Sequence, residues 1–130
     1  MPDKAGPDIV GAAPVFRVSD FATALAYYRD TLGFAVTFQW GEPTFYACLR
    51  RGELDLHINA SPDPRRPPGA SLVCGFVSDV DGLYSELSGR GARIATPPQT
   101  LPYGMREFNL EDLDGNCIVF GMSVGDGAKE

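Results

Sequence analysis

The sequence predicts an α+β fold built from two copies of one unit, each a strand, a helix and three further strands. Three observations carry this. Val18-Ser19-Asp20 and Val77-Ser78-Asp79 each open an amphipathic helical pattern, glycines close both patterns at Gly33 and at Gly89-Gly91, and strand-like runs follow each. A single unit of this size cannot bury its own apolar face, whereas two copies packed together can.

In the first unit, about residues 12–60, a short strand is expected at Pro14–Val18. Ser19 or Asp20 then caps a helix whose Phe21, Ala24, Leu25, Tyr28 and Leu32 share one face, and Gly33 stops it. Strands follow at Ala35–Trp40, Thr44–Arg50 and Glu53–Asn59, the last two joined at Arg51-Gly52. Residues 61–70 hold Pro62, Pro64, Pro67 and Pro68, a proline density that neither a helix nor a central strand tolerates, and read as a linker.

The second unit, about residues 71–122, opens with a strand at Leu72–Val77. Ser78 or Asp79 caps a helix with Val80, Leu83, Tyr84 and Leu87 at helical spacing. A strand at Arg93–Thr96 is expected to lead through Pro97-Pro98 into a loop, and Met105–Leu110 and Asn116–Met122 form a hairpin across Asp114-Gly115. Residues 1–122 thus read as one domain, with 123–130 as a C-terminal tail and no periodicity before Gly11.

Composition narrows the functional classes. The chain of 130 residues, 44% of them hydrophobic, suffices for one real core. A net charge of −6 argues against nucleic acid and favours neutral or cationic partners. No apolar stretch is long enough to span a bilayer, and Met1–Val10 lacks the basic start and apolar centre of a secretory signal, so a cytoplasmic protein without a membrane partner is expected. Cys48, Cys74 and Cys117 cannot all pair and show no Cys-x-x-Cys spacing, and are expected as reduced core residues.

The strand at Glu53–Asn59 alternates fully, with Leu54, Leu56 and Ile58 on one face and Glu53, Asp55, His57 and Asn59 on the other. If the helices cover the leucine face, the polar set looks into water or a cavity. In the final strand Ile118 and Phe120 take the buried parity, leaving Cys117, Val119 and Gly121 as small residues suited to a cavity wall.

Ala13-Pro14-Val15, Tyr27-Tyr28-Arg29-Asp30-Thr31-Leu32-Gly33-Phe34, and Tyr103-Gly104-Met105-Arg106-Glu107-Phe108 followed by Asp112-Leu113-Asp114-Gly115-Asn116 together resemble the vicinal oxygen chelate superfamily. This superfamily groups glyoxalase I, extradiol dioxygenases and bleomycin-resistance proteins. The C-terminal run is most similar to the bleomycin-binding branch. The resemblance covers about residues 12–122 and implies two βαβββ modules forming a half-open cup, with two chains pairing so that modules from both line two equivalent pockets. In metal-dependent members four side chains hold the metal, and their positions fall here near Ala13, Asp55, Leu72 and Val119. Three of these cannot coordinate an ion, so the expectation is no metal, no cofactor and no catalytic residue. A rival metal site from Asp55, His57 and Glu107 ranks below a simpler reading of His57, the only histidine, as a polar lining residue.

Aromatic residues are the better clue. Phe38 and Trp40 share a strand face, one of Phe45 and Tyr46 must point inward, and Tyr103 lies beside a loop. The expected ligand-binding set is Phe38, Trp40, Asp55, His57, Asn59, Tyr103, Met105 and Glu107. Trp40 and Tyr103 sandwich a planar ligand, Phe38 and Met105 form apolar wall, and the polar members supply hydrogen bonds or countercharge to a cationic part. Tyr103 stands where bleomycin binders of the family often carry Trp, which bears on which drug is bound. The leading expectation is a homodimeric, non-enzymatic protein that sequesters a planar natural-product antibiotic and confers resistance without turnover. Two alternatives are an enzyme of the same fold (a lyase, isomerase or dioxygenase) with a displaced metal site or none, and an accessory domain that binds a metabolite or protein as a regulator.

Overall fold

A computed structural model describes residues 6–125 and contains two four-stranded mixed sheets. The first holds β1 (Val15–Arg17), β2 (Ala35–Gly41), β3 (Thr44–Arg51) and β4 (Leu54–Asn59) in the order β1-β4-β3-β2. The second holds β5 (Leu72–Phe76), β6 (Arg93–Leu101), β7 (Met105–Glu111) and β8 (Cys117–Ser123) in the equivalent order β5-β8-β7-β6. In each, the first strand runs parallel to the last and the other pairings are antiparallel. A helix makes the crossover in each unit: α1 (Phe21–Ala26), continued by a π-helical turn over Tyr27–Thr31, and α2 (Val80–Gly89). The strand, helix, three-strand order expected from the repeat is present in both units.

Of the two candidate caps for each helix, aspartate is the one used. The Asp20 carboxylate accepts from the Thr23 amide and the Asp79 carboxylate from the Gly82 amide, each at 3.0 Å. Gly33, at φ +76°, turns the chain out of the first helix, a conformation that costs a residue with a Cβ. The helices cover the faces that carry Phe16, Ala47, Leu49, Leu56 and Ile58 in one sheet and Phe108, Leu110, Ile118 and Phe120 in the other, all part of one buried cluster.

Three expectations need correction. β6 does not end at Thr96 but runs through Pro97-Pro98 to Leu101. It is an edge strand whose pairing with β7 slips between Ile94 and Thr96 and again between Thr96 and Gln99, so the prolines sit where ladder hydrogen bonds are already interrupted. β8 extends through Ser123, one residue into the segment read as tail; residues 126–130 lie outside the described residues. The cysteines are not core: Cys74 is exposed and Cys48 and Cys117 are half-buried, because strand alternation puts all three on the faces opposite the helices.

The two modules are joined by a buried polar cluster. The Asp112 carboxylate accepts from the Tyr28 hydroxyl at 2.9 Å, from the amides of Asp114 and Asn116 at 2.9 Å each, and from the Asn116 side-chain amide at 2.8 Å. The same Asn116 amide group donates to the Arg17 carbonyl at 2.9 Å. Beside it, the Tyr27 hydroxyl donates to the Glu111 carbonyl and accepts from the Arg93 amide. The π-helical turn, closed by the Leu32 amide on the Tyr27 carbonyl, carries both tyrosines into the interior. Burial, and next the Asp112 charge, hold the Tyr28 phenol far above its ordinary pKa, so it acts as a permanent donor. The linker is seated on the same cluster: the Gly69 amide donates to the Arg17 carbonyl, and a Cβ at Gly69 would collide with the Asp114 carbonyl.

A second tie is ionic. Arg51 at the end of β3 forms a two-pronged bridge to Glu86 of α2 at 2.9 and 3.0 Å while also donating to the Leu32 carbonyl. The hydrogen bond from Arg51 holds the Glu86 carboxyl below its ordinary value of 4.5.

Two outcomes follow for stability. Tyr28→Phe leaves the buried Asp112 carboxylate one donor short and is expected to lower the unfolding free energy by about 1–3 kcal/mol in urea melts. Because the Glu86 pKa is depressed by folding, its contribution is present above pH 4.5 and lost as the pH falls through the lower folded value. Glu86→Gln should therefore flatten the acid limb of a melting-temperature profile while its melting temperature above pH 4.5 falls below the parent's.

Candidate functional site

With the core faces covered by helices, each sheet keeps one face free of them. On the first sheet the register lines up two rows: Phe38, Cys48, His57 and Val15, then Trp40, Tyr46, Asn59 and Arg17. Phe38 and Trp40 lie along β2 with nearly parallel rings, 12° apart and 6.4 Å between centroids, forming a flat shelf. Trp40 is 65% exposed and Phe38 52% exposed, so neither is core. Trp40 also borders a groove of about 530 Å³ with Gln39, Gly41, Glu42 and Phe45 at the sheet edge.

Next to the shelf the polar residues are tied to specific partners. The Tyr46 hydroxyl and His57 Nδ1 lie 2.7 Å apart, with the two rings edge to face. Asn59 Oδ1 accepts from both the amide and the hydroxyl of Ser61, at 2.9 and 2.8 Å. Asp55 faces Arg50 at 3.3 Å, so its charge is already countered within β3 and β4. Tyr46 was not among the expected site residues. Its parity was readable, because Ala47 and Leu49 beside it are apolar and buried, but its hydrogen bond to His57 has no signature in the sequence.

The other expected residues stand on the second sheet. Met105 and Glu107 are on β7, opposite Ser123 and Gly121 of β8, and Tyr103 precedes β7 with 66% of its surface exposed. Partial desolvation, followed by the Glu107 charge and a hydrogen bond to Glu107, raises the Tyr103 phenol pKa. Gly121 leaves room for this group, since a Cβ there would press on Met105 and Glu107 at 3.2 and 3.3 Å. Leu72, Cys74, Phe76, Cys117 and Val119 complete the face. Burial, ahead of Glu111 and Cys74, pushes the Cys117 thiol up, away from nucleophilic character. Phe38, Trp40, Asp55, His57 and Asn59 thus share one sheet face, and Tyr103, Met105 and Glu107 another.

The side chains do not fit the divalent ion that the fold family implies. β1 pairs Val15 with His57, and continuing that register places Ala13 beside Asp55; on the other sheet Leu72 lies opposite Cys117 and Val119 opposite Cys74. Ala13, Leu72 and Val119 have no donor atoms, and the one carboxylate is paired with Arg50. Among the described residues no three His, Cys, Asp or Glu side chains converge as a metal cluster, and the imagined set of Asp55, His57 and Glu107 is split between the sheets. A separate cleft of about 330 Å³ lies between the modules, walled by Phe34, Leu54, Val77, Leu83 and Phe120, with the Arg51–Glu86 bridge at its side.

This topology coincides with a match of residues 11–120 to the Glyoxalase/Bleomycin resistance protein/Dioxygenase superfamily. The chain belongs to that superfamily. Virulence protein STM3117 of Salmonella typhimurium is 29% identical over 119 residues, covering 85% of this chain and 81% of the relative. A glyoxalase/bleomycin resistance protein from Catenulispora acidiphila is 31% identical, with a TM-score of 0.72 over 88% of this chain and 98% of that one. The bleomycin-binding protein of bleomycin-producing Streptomyces verticillus, solved with copper(II)-bleomycin, is 29% identical, with a TM-score of 0.71 over 88% of this chain and 97% of that one. The superfamily includes binding proteins and enzymes alike. No helix among the described residues is long and apolar enough to cross a membrane.

The shelf's independence from the core is testable. Trp40→Ala is expected to change the unfolding free energy by no more than about 0.5 kcal/mol. Phe108→Ala, which empties a fully buried site, is expected to cost about 3–5 kcal/mol in the same denaturant series.

Proposed function

We propose that this chain is a metal-independent binding protein that sequesters a planar natural-product antibiotic, bleomycin-like or another aromatic cytotoxic compound, and confers resistance without turnover. The observation that carries this reading is the Phe38–Trp40 shelf. Two large, nearly parallel rings more than half exposed on a sheet face are a costly use of apolar surface unless something flat covers them. A relative that binds bleomycin on the same fold supports the class of ligand.

In this proposal the working unit is a cytoplasmic homodimer. The second sheet's free face exposes Leu72 and Phe76, the first sheet's exposes Val15, and a second copy would cover them. Pairing the first sheet of one chain with the second sheet of another brings Phe38, Trp40, His57 and Asn59 to face the partner subunit's Tyr103, Met105 and Glu107. The flat ligand is held between the shelf and the partner subunit's Tyr103, and Glu107, which no arginine pairs with among the described residues, takes the role of countercharge for a cationic tail. Asp55 makes a weaker contribution than its position suggests, because Arg50 already answers it.

The test joins elemental analysis of the purified protein to titration of its single tryptophan's fluorescence with bleomycin and other planar antibiotics, with and without chelator. Saturable quenching without stoichiometric metal, insensitive to chelator and followed by recovery of intact drug, is the expected result. A bound metal with no antibiotic response, or steady accumulation of a product, would replace this reading with an enzyme of the same fold.

A further inference from the structure

On the free face of the first sheet, across β3 from the shelf, two side chains keep polar hydrogens that no bond uses. Asn59 Oδ1 is committed twice to Ser61, and one of those bonds comes from a backbone N–H, which can only donate; the side chain's orientation is therefore set, with Nδ2 directed away from Ser61. Among the described residues Nδ2 has no hydrogen-bond partner. His57 is constrained in a similar way. A phenol is a stronger acid than a neutral imidazole, and an imidazole nitrogen a stronger base than a phenol oxygen, so in the 2.7 Å contact the Tyr46 hydroxyl donates to Nδ1. Tyr46 has no other hydrogen-bond partner among the described residues to compete for that proton. In the neutral ring the proton then sits on Nε2, which likewise has no partner among the described residues. Trp40, at the end of the same shelf, contributes an indole N–H, a donor only. Asp55, the acidic side chain next to His57 on this face, is turned to Arg50.

We infer that Tyr46 and Ser61 are positioning residues that give the first sheet's half of the site a donor pair, His57 Nε2–H and Asn59 Nδ2–H, on the same face as the Phe38–Trp40 shelf and across β3 from it. The flat part of the ligand is therefore one that carries hydrogen-bond acceptors in or beside its rings, such as ring nitrogens or conjugated carbonyls, and a cationic or donor-bearing part belongs on the Glu107 side. This rests on the binding reading above and specifies its ligand class. It reverses the expectation that this face offers countercharge. A ligand presenting only donors here leaves His57 and Asn59 facing like dipoles, and a hydrocarbon leaves them unpaired, each costing discrimination.

The first test needs no ligand. His57 is the only imidazole, so a long-range proton–nitrogen NMR spectrum of the neutral ring under alkaline conditions reads its tautomer directly. The expected result is a pyridine-like Nδ1 and a protonated Nε2 in the parent protein, with Tyr46→Phe shifting toward a tautomer mixture. A protonated Nδ1 in the parent overturns the inference. The second test compares quinoxaline with naphthalene, rings of the same shape that differ in two acceptor nitrogens, by titrating the Trp40 indole signal. Quinoxaline is expected to bind roughly fivefold to tenfold more tightly, about the worth of one or two net hydrogen bonds. Asn59→Asp, which keeps an acceptor for Ser61 but replaces the free donor by an oxygen, should remove most of that preference, and unchanged Ser61 amide shifts would show the cap intact. Equal affinities for the two probes would overturn the donor pair while leaving the pocket standing. If neither probe perturbs Trp40, the pocket reading fails and this inference with it.

Discussion

The buried Asp112 carboxylate is the constraint around which the two modules are arranged. Removing a carboxylate from water costs several kcal/mol unless its oxygens are hydrogen-bonded in the interior. Here the donors come from the Tyr28 hydroxyl, two backbone amides of its own turn and the Asn116 side chain. One donor belongs to the first module and the rest to the second, so the carboxylate is satisfied only when the modules are packed. The Asn116 bond to the Arg17 carbonyl and the Ser19 amide bond to Asp114 add strand β1 and the start of α1 to the same junction. Of the residues by which the sequence resembles its superfamily, Tyr27-Tyr28 and Asp112-x-Asp114-Gly115-Asn116 are therefore joint residues, which identify the fold and are silent about the ligand.

Once this joint and the helices have claimed one face of each sheet, the opposite faces are what remains for function. Their content differs sharply from the core's. The first carries the aromatic shelf with a tyrosine–histidine pair and a capped asparagine; the second carries Tyr103, Met105 and Glu107 among small apolar residues. Where these side chains stand on paired strands their spacing is set by the ladder, and Phe38 and Trp40 stack because residues two apart on one strand share a face. A shared topology supports both catalysis and simple binding because function resides in the side chains set on it and not in the fold.

Where sequence reading went astray, the missing information was long-range. Pro97-Pro98 looked incompatible with a strand, and locally it is; only the position of β6 at a sheet edge, with its pairing already slipped, makes room for it. The cysteines looked like core because they sit in apolar runs, yet an apolar run on an alternating strand has two faces, and Cys48, Cys74 and Cys117 fell on the free one. The parity read for Asp55 holds, and the fold adds an ion pair from Arg50 on the neighbouring strand that the sequence did not show.

Periodicity and punctuation are local properties, and they determined the order of the elements, the two aspartate-capped helices, the glycine stops and the face on which each strand residue lies. Even the parities of Phe38, Trp40, His57 and Asn59 follow from the chain's alternation against a leucine-lined core. Which polar atoms on those faces remain free is a different kind of fact. A hydrogen bond consumes a donor or acceptor only when its partner is brought within reach, and the partners of His57, Asp55 and Asp112 come from other strands or the other module. The tertiary structure alone decided which polar groups on the first sheet's free face are already engaged, because the sequence names those groups and only packing brings their partners within reach.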